Sequence, residues 1–586
     1  MATVAAALPK TKGGAFLLED RVPNEIFTAE DLSDEHLAIA RTTDQFVLNE
    51  VEPNLAAIRQ QQPGVARIVL SKAAEVGLTA IHIPEKFGGM EMDLASVLIV
   101  AEHMARDGSF GSWYSAHTGI GALPLLYFGT EEQKRKYLPK LATVEMLAAY
   151  ALTEPLSGSD ALAARTRADL SPDGKHYILN GQKMWITNGG AADLFTVFAK
   201  IGGEKFTAFL VERSFPGVTS GAEEQKMGIK GSSTTAVYLD NVPVPVENVL
   251  GDIGRGHIIA LNVLNIGRLK LAATAVGGAK NVLVTCLKYA KDRKAFGCSI
   301  AEFGAIQHKL AEMAIRIYAV ESMVWRAVGL IESRLEGFSW DQADASQINL
   351  KAVEEYAAEC SILKVYGSEM LDYVVDEGVQ IHGGYGFHQD YAVERAYRDS
   401  RINRIFEGTN EINRLRIPAT LLKRAARGEL AILAAAPAAR NAPDAHHATD
   451  EESQLVKSTK NIALTTIDLA YQKYGAELEK QQEVLMNIAD IVMEAFAMES
   501  SLLRAQKLAA TGKGTNATGM CAVFLRDAMA RSELAARNVI GACATGDAVR
   551  SSMTVLQRLA THDPVDAIGL RRQIAGRLLD RDRYFV

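Results

Sequence analysis

From about Asp31 to Leu147 apolar residues recur at helical spacing, as in HLAIARTTDQFVLNEVEPNL and DLASVLIVAEHMA, with Pro and Gly punctuating the segments. This pattern predicts an N-terminal helical domain over residues 1–149. At Tyr150 the texture changes. The runs YILNGQKMWITN, LFTVFAKI, FTAFLVE and TTAVYLDNVPVP predict a small β-domain over 150–255, with Asn180-Gly181 as the turn of a hairpin. Helical spacing returns from about His257 in three stretches, long enough for antiparallel helices in a bundle over 256–428. AILAAAPAARNAPDAHHATDEES, rich in Ala and Pro, predicts a linker over 429–453, and a last helical block occupies 454–586. The fold class is α+β and multidomain.

A chain of 586 residues is too long for one core. Its net charge of -7 argues against nucleic acid as the main partner, because phosphate neutralisation needs a basic surface. The five cysteines are far apart without a CxxC pair, which fits buried thiols in a reducing compartment and no structural zinc. The N-terminus lacks the apolar core of a secretory signal, and no run of about 18 apolar residues is read anywhere. These features predict a soluble protein, cytoplasmic in a bacterium, or of the mitochondrial matrix or inner membrane if processed from a eukaryotic precursor.

No GxGxxG, Walker loop or HExxH is present, so Rossmann nicotinamide enzymes, P-loop NTPases and a metal centre are disfavoured. The segment YALTEPLSGSD, residues 150–160, gathers hydroxyls and a glycine where the strands begin. It reads either as a capped turn or as a loop holding a cofactor edge or phosphate. In KMWITNGG, residues 183–190, alternation puts Trp185 and Thr187 on one face of a strand, which alone fits ordinary core. The octet RIFEGTNE, residues 404–411, sets Glu407 between an aromatic residue and a glycine. By itself this glutamate reads equally as a base or as a helix-entry carboxylate.

Taken in order, TEPLSGSD, KMWITNGG, KDRKAFG and RIFEGTNE resemble the acyl-CoA dehydrogenase family over about residues 40 to 430. AYALTEPLSGSD, VLNIGRLKLAA, FGAIQHKLAEM and RIFEGTNEI are most similar to the very-long-chain branch, which also carries a helical C-terminal extension. The resemblance implies a helical domain, a central β-barrel-like domain and a four-helix bundle, with FAD as cofactor. Tyr150, Leu152, Thr153, Gly158 and Ser159 would line the flavin, with Trp185, Ile186 and Thr187 continuing along the ring. Arg293 and Phe296 would reach the FAD of a neighbouring subunit, and Gln380, Ile381, His382, Gly383 and Gly384 its adenosine half. Thr409, Asn410 and Glu411 would face the cofactor. Asn265, Arg268, Ser159 and Gly408 would bind substrate, with Gly408 clearing space for the thioester.

The activity implied is α,β-dehydrogenation of a fatty acyl-CoA in β-oxidation, with electrons passed to an electron-transfer flavoprotein. Glu407 would take the α-proton and its backbone N–H would face the thioester carbonyl. Burial beside Phe406 and the acyl chain would raise its pKa from about 4.3 toward about 7. A site built across two chains implies a homodimer. A flavin oxidase on the same fold, and a non-enzymatic assembly factor, are alternatives; Glu407 and Arg293 argue against the second. The extension reads as a domain packing on the main body or a second subunit, or as a peripheral membrane contact, the latter weakened by the lack of a strongly basic face. Chain length depends on packing around residues 113–121.

Overall fold

The computed structural model describes residues 8–443 and 450–586. Seven helices come first: α1 (Asp34–Phe46), α2 (Leu55–Arg59), α3 (Val65–Glu75), α4 (Leu94–Met104), α5 (Gly108–Ala116), α6 (Leu123–Phe128) and α7 (Glu131–Ala142). Their starts carry local signals. Asp107 caps α5 by accepting from the Ser109 and Phe110 N–H groups, and Thr130 caps α7 through Gln133. A buried cluster including Val69, Leu70, Val100, Phe110 and Tyr114 holds α3, α4 and α5 together.

The β-domain comprises β1 (Ala148–Ala151), β2 (Arg167–Leu170), β3 (His176–Thr187), β4 (Leu194–Ile201), β5 (Lys205–Glu212), β6 (Val218–Ser220), β7 (Thr234–Pro245) and β8 (Val249–Leu250). They form one eight-stranded sheet in the order β6-β7-β3-β2-β4-β5-β8, with β1 pairing β4 in parallel. The expected hairpin turn at Asn180-Gly181 is absent. Both residues lie inside β3, which pairs with β7 through two irregularities, between Leu179 and Gly181 and between Lys183 and Ile186. Thr166 packs over Gly181 so closely that a Cβ there would fall 2.5 Å from its hydroxyl oxygen, so the glycine serves close packing.

The bundle is built on α8 (Gly256–Asp292), followed by a short β9–β10 hairpin (Lys294–Ala295, Cys298–Ser299). It continues with α9 (Gly304–Glu332), α10 (Ala345–Glu355), α11 (Ala357–His382), α12 (Ala392–Ser400) and α13 (Asn410–Ala426). Among the described residues α8 alone has the length and hydropathy of a membrane span, and 67% of its apolar window is buried inside the protein. The apolar stretch is core, packed among α4, α9 and α11.

The segment read as a linker holds a helix, α14 (Ile432–Arg440), that buries Ile432, Ala436 and Ala439 against α15 (Glu451–Tyr474). Alanines at helical spacing allow that close approach, so Ala-rich composition here means packing; residues 444–449 of the predicted linker lie outside the described residues. The last helices are α16 (Gln482–Ala510), α17 (Thr515–Cys543), α18 (Asp547–Ala560) and α19 (Ala567–Arg581). α16, α17 and α19 pack on α9, and α16 also on α13. Buried ion pairs fix this seam: Arg504 Nη1 donates to Glu321 at 2.6 Å and Nη2 to Glu30 at 2.7 Å, while Arg326 Nη2 donates to Glu499 at 2.6 Å. Together with Lys280, Arg504 holds the buried Glu321 carboxyl down to about 2 against the opposing effect of burial. Four cysteines are buried, and Cys298 is partly exposed in the β9–β10 hairpin.

Candidate active site

Glu407 sits in the turn between α12 and α13 with φ 59°, and Gly408 follows at φ 79°. Two consecutive left-handed residues turn the chain sharply, a conformation glycine takes freely and glutamate takes at a cost. Buried neighbours hold the turn. Arg268 Nε donates to the Glu407 carbonyl at 3.2 Å, and Asn413 Nδ2 donates to the Gly408 and Thr409 carbonyls at 2.8 and 3.0 Å. The Glu407 N–H meets no acceptor among the described residues. Thr409 then caps α13, its hydroxyl accepting from the Ile412 N–H.

The Glu407 carboxyl enters a cavity of about 240 Å³ lined by α5, α8, α11 and α12, and its Oε2 is buried with no hydrogen-bond partner. Burial pushes its pKa up to about 7, opposed by the positive charges of Arg268, Lys364 and Lys270. None of these cations touches the carboxylate. Arg268 is committed to the Glu407 carbonyl and to Asn265 Oδ1 at 2.8 Å, Lys364 to Asn410 Oδ1 at 2.7 Å, and Lys270 to the Thr118 hydroxyl at 3.2 Å. A buried carboxylate near neutrality, with its oxygen free, is a competent proton acceptor.

The two hydroxyl-rich segments are joined by a buried ion pair. Lys183 Nζ donates to Glu154 Oε1 at 2.7 Å, and Glu154 also accepts from the Arg165 and Thr166 N–H groups at 2.6 and 3.1 Å. Burial works against the Glu154 charge, but Lys183 and the hydrogen bonds keep its pKa below the usual range; burial brings Lys183 down to about 8. Beyond this clamp Trp185 is 60% exposed at φ 57°, and Thr187 lines the cavity. Tyr150 is buried with its hydroxyl unpartnered, electrostatically coupled to Glu407; Leu152 and Thr153 are half-buried, and Gly158 and Ser159 are exposed.

Several expected contacts differ. The Ile186 side chain is in the core of the sheet, and Ile381 is buried in the bundle while also lining a surface hollow. The Asn410 amide is spent on Lys364, Ser368 and Glu369, whereas Asn265 accepts from Arg268 and Arg416 at Oδ1 and keeps a buried Nδ2 without a partner. Gly408 has a φ that favours glycine, and Asn413 Nδ2 lies 3.2 Å from where a Cβ would stand, so backbone geometry is a reason for glycine here beside any space for a thioester. Glu411 is exposed in the first turn of α13, and Phe406 lines the cavity while 39% exposed.

The remaining predicted residues form a second cluster. Arg293, His382, Gly383 and Gly384 line one surface hollow, with Gln380 and Phe296 exposed nearby in sequence; Phe296 is 97% exposed. His382 is buried, stacked on Tyr289 at 3.9 Å, and its Nδ1 meets the Gly378 carbonyl at 2.8 Å, so it is a structural neighbour. Gly267, beside Glu407, and Arg293, at the end of the same helix, are about 39 Å apart by helical rise. Lys183, Asn413, Lys270 and Lys364 escaped the sequence reading because a lone polar residue inside an apolar pattern does not announce its partner. Among the described residues no three His, Cys, Asp or Glu side chains are grouped to hold a metal.

Among known proteins, this layout of helical domain, sheet and helical bundle is matched by the acyl-CoA dehydrogenases. Family models for the acyl-CoA dehydrogenase N-terminal domain match residues 33–145, the middle domain 149–242, and C-terminal domains 254–422 and 458–558. A probable acyl-CoA dehydrogenase of Bacillus subtilis is 48% identical over 98% of both chains. The very long-chain specific enzyme of Bos taurus, mitochondrial, is 43% identical over 62% of this chain and 54% of its own. The crystal structure of an acyl-CoA dehydrogenase from Bacillus anthracis, complexed with FAD, superposes with a TM-score of 0.96 at 48% identity, covering 98% of this chain and all of that one. The chain belongs to the acyl-CoA dehydrogenase family and is an oxidoreductase of that class.

Proposed function

We propose that this chain oxidises a long-chain fatty acyl-CoA to its trans-2-enoyl thioester, using FAD and passing electrons to an electron-transfer flavoprotein. The observation that carries the reading is the Glu407 carboxyl, with a pKa raised to about 7, at the head of a cavity following α8 from Gly267 to Thr285. Eighteen residues of helix correspond to about 27 Å. Small residues keep that path open, among them Gly111, Ser115 and Gly119 on one wall and Ala275 and Gly278 on the other. Such a length suits a long chain and is wasted on a short one.

The residues present fit a flavin. Trp185 offers an exposed aromatic face, Thr153 and Thr187 hydroxyls, Gly158 open backbone, and Tyr150 an unpaired buried hydroxyl. When bound, the flavin supplies the acceptor for the β-hydride, which no side chain can be. Glu407 takes the α-proton, leaving negative charge on the thioester oxygen. The free N–H of Glu407 is oriented by the Arg268 and Asn413 contacts as a donor to that oxygen. Arg268, Lys364 and Lys270 oppose the effect of burial, so that the base is about half ionised at neutral pH.

Arg293 stands about 39 Å of helical rise from Gly267, beside Glu407, too far to serve the flavin at that base within one chain. We read it as completing the site of a second copy, where the guanidinium pairs with a pyrophosphate, so the working unit is a homodimer. The full-length bacterial relatives support a cytoplasmic setting. In the extension, Leu534 on α17 and Ile568 on α19 remain exposed and are the candidates for a lipid contact, which liposome flotation of full-length and truncated chains tests. Anaerobic flavin bleaching across straight acyl-CoAs, from butyryl to stearoyl, tests the main reading. Fastest bleaching by the long chains is expected; a butyryl optimum, or no bleaching by any chain, would overturn it.

A further inference from the structure

The far end of the Glu407 cavity is not apolar. There it meets Arg106, Asp107, Asn281 and, on α12, Arg395 and Asp399. An alkyl terminus needs no such lining, and burying polar groups beside it costs free energy.

The two α12 residues stand four apart, on one helix face. Arg395 donates no hydrogen bond to any described residue; its nearest carboxylate, Asp107, is 4.0 Å away and already holds Arg59 at 2.6 Å. Asp399 accepts from the Ile229 N–H and keeps a second oxygen, 3.1 Å from the space above Gly108. Burial and the neighbouring Asp107 raise the Asp399 carboxyl to about 6, so it is largely ionised at neutral pH. Formal charges balance here: Arg59, Arg106, Arg395 and Arg398 against Glu52, Asp107, Asp399 and Glu394. An added carboxylate would leave the group net negative. A hydroxyl adds no charge, can accept from Arg395 and can donate to Asp399.

We propose that the Arg395 and Asp399 pair at the distal end of the acyl cavity recognises a terminal hydroxyl, so that ω-hydroxy long-chain acyl-CoAs are substrates alongside methyl-terminated ones. This rests on reading the cavity as the acyl tunnel. The chemistry at Glu407 is the same for both, and only the chain end differs.

The test uses the full-length, FAD-loaded protein and compares kcat/KM for palmitoyl-CoA with 16-hydroxypalmitoyl-CoA, and for octanoyl-CoA with 8-hydroxyoctanoyl-CoA. The long pair should agree within about three-fold. The short hydroxyl ends well before Arg395 and Asp399, so it gains neither partner and should cost about ten-fold or more. In Arg395→Met the hydroxy-to-methyl ratio of the long pair should fall about ten-fold, and Arg395→Lys should restore most of it. A ratio taken within one variant cancels any loss of folded protein. A ten-fold bias against 16-hydroxypalmitoyl-CoA in the wild type, or an unchanged ratio in Arg395→Met, overturns the proposal while leaving the acyl tunnel standing. Failure of both palmitoyl chains to react overturns the tunnel and the proposal together. Equal ratios in long and short pairs would show a solvent mouth without chemical preference, and would also overturn it.

Discussion

The carboxyl group of Glu407 lies over the Cα of Gly267. A Cβ built on that glycine would fall 2.7 Å from Oε2 and 3.0 Å from Cδ. Gly267 is therefore the floor on which the base rests, and Gly267→Ala should push the carboxylate out of its position. A displacement of about 1 Å can cost on the order of 100-fold in rate. Gly267→Ala should retain flavin and lose at least that much kcat with palmitoyl-CoA; wild-type kcat would show that the contact is not functional.

The raised pKa of Glu407 sets the pH dependence. Glu407 accepts a proton only when ionised, so kcat/KM should fall as pH drops through about 7. Lys270 lowers that pKa, so Lys270→Met should move the acid limb to higher pH, measured on the full pH profile. The linkage to stability has the opposite sense. Between pH 4.5 and 7 the folded state binds more protons at Glu407 than the unfolded state, so this residue costs stability as pH rises. Glu407→Gln should accordingly raise Tm at pH 8 and change it little at pH 5.

Lys183 and Glu154 join the two segments that present Trp185 and Thr187. Lys183→Met leaves the Glu154 carboxylate buried without its counter-charge, and breaking such a pair costs about 3–5 kcal/mol. The expected result is a lower Tm together with loss of bound flavin, read from the absorbance ratio of the purified protein. Retained flavin at wild-type stoichiometry would contradict the role of the clamp.

Arg504 joins the extension to the bundle through Glu321 and to the N-terminal segment through Glu30. Arg504→Met should lower Tm by several degrees, and limited proteolysis should then release a fragment near residue 450. An unchanged cleavage pattern would mean that apolar packing alone holds the seam.

The sequence made some of this visible and hid the rest for physical reasons. Helix and strand periods placed the layers, because one buried face repeats every 3.6 or 2 residues. Asn180-Gly181 misled because a glycine admits either a turn or a close crossing, and only Thr166 packed above it decides between them. Alanines from Ala434 to Ala439 looked like a linker, yet small residues also make tight helix contacts once α15 is beside them. Glu407 was legible through its motif. Lys183, Asn413 and Lys270 were not, since their partners come from segments far away in the chain. Ile186 belongs to a matching motif, but its side chain is turned into the core of the sheet.

In the reaction proposed here, Glu407 removes the α-proton in the step that reduces the flavin. Rapid mixing of Glu407→Gln with palmitoyl-CoA, without oxygen, tests it most directly. The variant should hold FAD and bind the thioester, seen as a shift of the oxidised flavin spectrum, with bleaching slowed by about 1,000-fold or more. Bleaching at the wild-type rate would contradict it.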